Sequence, residues 1–418
     1  MDRRNFAKSL GVKAGALSAL AAAPVGFMAT PLRALAKTSD PGLLPLCKAI
    51  LKQNLLQPDE RMLVATGYMY DEEYVMALLQ AGAELGAAVM HLPVFPKWEG
   101  EKMVSGRTAT HAKIYAEADL LLDVSMGRPP GVPSPGVGSG KFLDHEFKSD
   151  RQFMTRPGSR TRWLSIGGMS STVGIQRYLF PTKEIRARSI RGAEIFHNGK
   201  ELRVRCPHGT DLVCSLEGRT GHSQYGIADV GGRWDNFATA VVAAAAVETS
   251  TEGVIVYVAG DDIKDIEPRV LPNDKEKITL TYGSAGQITK VDGGRLAKEF
   301  EEYLASYNHP DITRLAHIGY GTDHRIHRLN HRVLFSDITS DMKHQFHHNA
   351  WGSVMIAMGR NNQYHGGPHA NYSGLGLAAR NAAPSHPHTA LIQGASLWVD
   401  DVLLCDNGEL TKEATGGV

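Results

Sequence analysis

The feature that most constrains the fold of this chain is a change of hydrophobic period near residue 187. Before it, short apolar runs alternate with helical patterns. Arg61-Met-Leu-Val-Ala-Thr66 is followed by a helix over 71–85 and then by Ala87-Ala-Val-Met-His-Leu92. A helix near 109–118 leads into Ala118-Asp-Leu-Leu-Leu-Asp123. Apolar runs of that length, separated by helices, predict βαβ units and a parallel sheet. The Gly/Pro-rich stretch over 127–140 then reads either as the border of a ligand crevice at a strand end or as a long surface loop. From residue 190 the texture alternates, as in Glu201-Leu-Arg-Val-Arg-Cys206, Asp211-Leu-Val-Cys-Ser-Leu216 and Gly253-Val-Ile-Val-Tyr-Val258. Lys277-Ile-Thr-Leu-Thr-Tyr282 and Gln287-Ile-Thr-Lys-Val291 flank a turn, and a helix is expected over 295–307. Alternation with turn signals predicts antiparallel hairpins. The expected fold class is α/β: an N-terminal parallel-sheet domain over 38–186 and a C-terminal α+β domain over 187–418.

Two cores are affordable in 418 residues of which 42% are hydrophobic and 21% charged. With 45 basic and 44 acidic side chains the formal charge is +1, so no overall field favours nucleic acid or a membrane surface. Residues 1–37 read separately. Arg3-Arg4-Asn5-Phe6-Ala7-Lys8 precedes a small-residue apolar run over 15–29, and Ala34-Leu35-Ala36 supplies a cleavage pattern. This is the form of a twin-arginine signal peptide, which implies the twin-arginine export machinery as a partner and a periplasmic location. Pro24 and the weakly hydrophobic Ala/Gly core argue against a spanning helix. Cys47, Cys206, Cys214 and Cys405 form no CxxC pair, and a hairpin centred on His208-Gly209 does not place Cys206 opposite Cys214, so their pairing is left open.

Twelve of the 18 histidines lie between His309 and His388, a density that signals metal chemistry without selecting ligands. His324, His327 and His331, beside Arg325, Arg328 and Arg332, suit a polar helix face better than a ligand set. Four segments occur in order: 208–219, Gly232-Arg-Trp-Asp-Asn-Phe237, Leu315-Ala-His-Ile-Gly-Tyr-Gly321, and Ser385-His-Pro-His388 running into Gly394-Ala-Ser-Leu-Trp-Val-Asp-Asp401.

On those segments the chain resembles the aminopeptidase T-like metallopeptidases and, more closely, their relatives the 2,5-dihydroxypyridine 5,6-dioxygenases. The likeness covers roughly 190–405. Where the peptidase branch supplies its two-metal donors, this sequence has Val241, His317, Met355 and His388-Thr389-Ala390. Valine and a thioether do not replace carboxylate and imidazole, so a dinuclear peptidase centre is not expected. The dioxygenase branch implies one Fe(II) held by two histidines and an aspartate, which maps to His317 and His388, with Ala390 where the aspartate is expected. His386, two residues before His388, is a candidate third ligand from the same strand face. Three histidines suit Fe(II), or alternatively Zn(II) with an activated water.

The resemblance thus implies a ring-cleaving dioxygenase acting on a hydroxylated pyridine or related ring with O2, as a monomer or a homo-oligomer. Candidate catalytic residues are His111, His208 and His365; candidate substrate contacts are Arg219, Trp234 and His369. His365 and His369 flank Gly366-Gly367 and are also reserve ligands. His208 with Asp211 equally fits plain turn chemistry, and Arg219 with Glu217 a salt bridge. A zinc aminopeptidase- or amidase-like hydrolase and a non-enzymatic metal- or small-molecule-binding protein are the competing readings.

Overall fold

The computed structural model describes residues 42–67, 70–99, 102–105, 109–126, 154, 156, 158–167, 179–263, 266, 268, 270–326, 348–359, 388–392 and 394–417. The signal-peptide reading of residues 1–37, the loop over 127–140, and His327, His331, His365, His369 and His386 lie outside the described residues.

The first half of the chain follows its alternation closely. In chain order it forms α1 (Leu43–Gln53), β1 (Arg61–Gly67), α2 (Glu72–Glu84), β2 (Ala88–Val94), the hairpin β3 (Pro96–Glu99) and β4 (Lys102–Ser105), α3 (Ala109–Glu117), β5 (Leu120–Met126), β6 (Arg162–Gly167) and α4 (Lys183–Asn198). Helix starts are set by side chains that satisfy otherwise orphaned N–H groups: Asp71 accepts from the Tyr74 N–H and Thr182 from the Ile185 N–H. Then come β7 (Glu201–Arg205), β8 (Asp211–Ser215), β9 (His222–Gln224), β10 (Trp234–Asn236), β11 (Val241–Ala244), β12 (Glu252–Tyr257), β13 (Asp262–Ile263), β14 (Ile278–Tyr282), β15 (Ile288–Gly293), α5 (Arg295–Ser306) and β16 (Leu315–Gly321). The chain closes with β17 (Val354–Met358), β18 (His388–Ile392), β19 (Ser396–Val399), β20 (Val402–Asp406), β21 (Glu409–Leu410) and α6 (Lys412–Thr415).

Among the described residues, three large sheets result beside the two-stranded β3–β4 hairpin. The five-stranded sheet, β10-β6-β5-β1-β2, has only parallel pairs. The eight-stranded sheet, β15-β14-β12-β8-β7-β19-β20-β21, is antiparallel and contains the expected hairpins. Within it Cys214 stands opposite Leu202, and all four cysteines are free. The six-stranded sheet, β13-β18-β17-β16-β11-β9, is also antiparallel. β10 comes from beyond residue 187 yet extends the N-terminal parallel sheet, and contacts gather 38–418 into one compact unit.

The main core lies between the antiparallel sheets and α4. Val242, Ala244, Ile318, Tyr320, Val354, Ile356 and Met358 of the six-stranded sheet meet Ala193 and Phe196 of α4 and Leu202, Val204 and Leu212 of the larger sheet. The helix crosses this sheet closely enough that a Cβ on Gly192 would lie 2.2 Å from the Tyr320 hydroxyl and 2.8 Å from Val242 Cγ2. A separate core packs α1 and α2 on the parallel sheet.

Candidate functional site

Because the six-stranded sheet buries alternate residues on its two faces, its register defines what the second face offers. One row runs His222, Ala243, Gly319, Met355, Leu391, Asp262 across β9, β11, β16, β17, β18 and β13. Gln224, Val241 and Gly321 form the next row, and His317 opposite Ala357 lies on the other side. His317 is therefore on the face that the main core does not use, although it is 2% exposed. Val241, Ala243, Met355 and Leu391 form a small buried apolar cluster there. This patch is hydrocarbon and thioether rather than carboxylate and imidazole. Gly319 at its centre is required sterically: an added Cβ would lie 2.0 Å from the Val242 carbonyl oxygen and 2.8 Å from Ala243 Cα.

The edge of this face is joined to the parallel sheet through the Gly232–Phe237 segment. Alternation along β10 sends Arg233 and Asp235 one way and Trp234 the other. Arg233 and Asp235, both fully buried, pair at 2.6 Å. Arg233 also donates to the Ser223 carbonyl at 2.7 Å and the Ile227 carbonyl at 2.8 Å, and its guanidinium lies 3.7 Å from the Tyr225 ring centroid. Asp235 accepts from the Tyr225 and Asn236 N–H groups. Burial pushes its carboxyl up from the ordinary value, with Arg233 and those two N–H groups pulling the other way. The pair thus clamps β10 of one sheet against β9 of the other.

Trp234, on the opposite side of β10, stacks on His222 with ring centroids 6.0 Å apart and planes 15° from parallel. Its Nε1–H donates to Ser165 Oγ at 3.1 Å, and that hydroxyl donates to Asp123 Oδ2 at 3.3 Å. Asp123 and Ser165 lie midway along β5 and β6, side by side in the sheet register. Further along the same edge, His91 Nε2 and Thr66 Oγ1 are 3.0 Å apart, with Tyr70 edge-on to the imidazole. Burial lowers the His91 pKa.

The sequence-derived candidates divide clearly. His317 and Trp234 are buried, on the second face of the six-stranded sheet and at its joint with the parallel sheet. Arg219 is buried as well, donating to Glu248 at 2.5 Å, while its Nε and Nη1 have no hydrogen-bond partner among the described residues; Glu217, the partner expected from sequence, is exposed. His111 is half-buried on α3, its ring 6.4 Å from Tyr115. His208 is exposed in the tight turn between β7 and β8, on the eight-stranded sheet. His388 begins β18 opposite Met358, whereas His317 stands opposite Ala357 and Ala357 opposite Thr389, so the backbone register puts His388 one position out of step with His317. His324 lies in a turn rather than a helix, its Nδ1 3.0 Å from Arg188 Nη1. Among the described residues no group of three histidine, cysteine, aspartate or glutamate side chains is placed to hold a metal ion.

Sequence reasoning missed His222, Asp123 and Ser165. Asp123 carried a usable signal, an acidic residue ending an apolar run predicted to be a parallel strand. His222 carried none, because its role depends on a register between strands far apart in sequence.

Comparison with known proteins follows this geometry. The family described as 2,5-dihydroxypyridine 5,6-dioxygenase matches residues 159–412. A 2,5-dihydroxypyridine 5,6-dioxygenase of Pseudomonas putida KT2440 is 26% identical over 298 residues, covering 69% of this chain and 77% of the relative. The solved structure of 2,5-dihydroxypyridine dioxygenase from that organism superposes with a TM-score of 0.70 at 18% identity, over 89% of this chain and 98% of its own. Wild-type AmpT from Thermus thermophilus shares the fold with a TM-score of 0.57 at 17% identity, over 88% and 99% of the two chains.

Proposed function

This chain belongs to the 2,5-dihydroxypyridine 5,6-dioxygenase family, and we propose that it is a ring-cleaving dioxygenase that opens a hydroxylated pyridine or related aromatic ring with O2. The observation that carries this reading is the second face of the six-stranded sheet. A buried imidazole, His317, lies there with an apolar floor of Val241, Ala243, Met355 and Leu391, and an aromatic pair, Trp234 and His222, stands at its edge. A flat, largely apolar ring suits such a floor, and few polar groups are needed to orient it. The apolar residues at the former donor positions favour a single ion over two.

The donor set we propose is His317 with His386 and His388, and the ion Fe(II). Of its described members, His317 fits by chemistry: imidazole is a common ligand for divalent transition metals, and the burial of His317 keeps competing water away. His388 stands one register position out of step with it at the start of β18, so its place in the set is the part that needs a separate test. When bound, the ion would supply Lewis-acid and redox chemistry toward a ring hydroxyl and O2. The chain's own contribution is then to bind and exclude water. Trp234 and the apolar floor contact the ring, and His222 is the imidazole within the described residues best placed at that edge to hold a proton from the ring hydroxyl. We further propose that residues 1–37 direct export by the twin-arginine route to the periplasm.

Metal content of anaerobically purified protein, measured with oxygen uptake on 2,5-dihydroxypyridine and related hydroxylated rings, tests the reading. About one iron per chain, lost together with oxygen uptake in His317→Ala, is the expected result. Zinc with amide hydrolysis and no oxygen uptake would replace it by the hydrolase reading. Retention of iron in His388→Ala would remove that residue from the donor set.

A further inference from the structure

We propose that Asp123 and Ser165 are positioning residues that hold the Trp234 indole as one wall of the ring-binding site. The three residues come from neighbouring strands of the parallel sheet, β5, β6 and β10, and all are buried. Asp123 and Ser165 stand side by side in the sheet register, as do Ser165 and Asn236.

The direction of the chain follows from what each group can do. An indole N–H only donates, and an ionised carboxylate only accepts. Ser165 Oγ stands 3.1 Å from the indole nitrogen and 3.3 Å from Asp123 Oδ2. Its single proton therefore goes to Asp123, which leaves a lone pair directed at Trp234. Asp123 thereby sets the orientation of the hydroxyl, and the hydroxyl sets the edge of the indole. Trp163 packs against the same ring at 6.1 Å and 59°, and His222 stacks on it nearly parallel. With its polar edge pinned and aromatic neighbours packed on it, the indole has one orientation, and that orientation fixes the plane offered to His222.

The inference rests on the reading that the ring binds at this edge, but its first readout does not involve turnover. Full-length protein labelled with 5-fluorotryptophan gives one ¹⁹F signal for each of the five tryptophans, and Trp234→Phe identifies the relevant one. Ser165→Ala and Asp123→Asn are both expected to shift or broaden that signal, with Ser165→Thr, which keeps the hydroxyl, restoring it. In turnover, Ser165→Ala is expected to raise KM for the ring about tenfold with kcat nearly unchanged, the signature of lost uniform binding. A Trp234 signal unmoved by Asp123→Asn would remove Asp123 from the relay, and one unmoved by Ser165→Ala would overturn the proposal. Moved signals with no ring turnover by the parent protein would leave the relay standing and overturn the assigned reaction instead. Moved signals with KM unchanged would sink the assignment of Trp234 as a wall of the site.

Discussion

The Arg233–Asp235 clamp makes the sharpest prediction. Arg233→Ala removes a guanidinium with no exposed surface, its 2.6 Å pair with Asp235, two hydrogen bonds to the Ser223 and Ile227 carbonyls, and its contact with the Tyr225 ring. Breaking one partner of a buried pair costs about 3–5 kcal/mol, because the other charge is left uncompensated. At about 2.1 cal/mol/K per residue, the unfolding entropy of the unit over 38–418 is roughly 0.8 kcal/mol/K, so the thermal midpoint should fall about 4–6 °C. The loss should also acquire a pH dependence of known sign. Burial already raises the Asp235 carboxyl, and without Arg233 it rises further. A group whose pKa is higher in the folded than in the unfolded state has its stability intact below the unfolded value, near 3.8, and loses it as pH rises through the folded value. The variant should therefore lose stability relative to the parent as pH rises, most steeply between the unfolded value and the raised folded one, where folded Asp235 still holds its proton and the unfolded chain does not. Calorimetric scans of both proteins between about pH 5 and 8 measure this. A midpoint within about 1 °C of the parent, equivalent to less than 1 kcal/mol, would show that the clamp is not what joins the two sheets; a pH-independent loss would show that Asp235 stays ionised in the folded variant, against the expected rise of its pKa.

Three further outcomes follow from the same geometry. Gly319→Ala should cost about 2–3 kcal/mol in denaturant unfolding, since its Cβ overlaps the Val242 carbonyl and backbone must move; a neutral result would refute the close approach of β11 and β16. His91 is held below its ordinary value of 6.5 by burial, so stability present above that value should fall as pH drops through the lowered one, and His91→Gln should flatten the acid side of a midpoint-against-pH curve. Val241→Glu, which puts a lone carboxylate into the cluster of Ala243, Met355 and Leu391, should lower stability by about 2 kcal/mol or more and be insensitive to added zinc. Recovery with zinc would show that a second metal position survives.

How much of this was legible in the sequence depends on whether the signal was local. Strands β1, β2, β5, β7, β8, β12, β14 and β15 and helices α2, α3 and α5 fall where their periods place them, because each carries its pattern of burial within one continuous stretch of sequence. The β10 strand does not: three residues, Trp-Asp-Asn, carry no period, and only tertiary pairing with β6 makes them a strand. Histidine density was equally indirect. His309 lies in the dense region but caps a short turn, its ring accepting from the Asp311 N–H, and His324 meets Arg188. His222 lies outside that region, yet the register puts it on the same sheet face as His317.

The two faces of the six-stranded sheet do separate work. On one, Val242, Ile318, Tyr320 and Ile356 pack into the main core. On the other, Val241, Ala243, Met355 and Leu391 form a patch of hydrocarbon and thioether. A side chain exchanged on the second face therefore leaves the backbone ladder and the core-facing side in place. The Arg233–Asp235 pair, which ties β10 to β9, sets where Trp234 stands beside His222 at the edge of that second face. On the proposed function, the patch is the floor for a ring and the clamp sets the wall beside it.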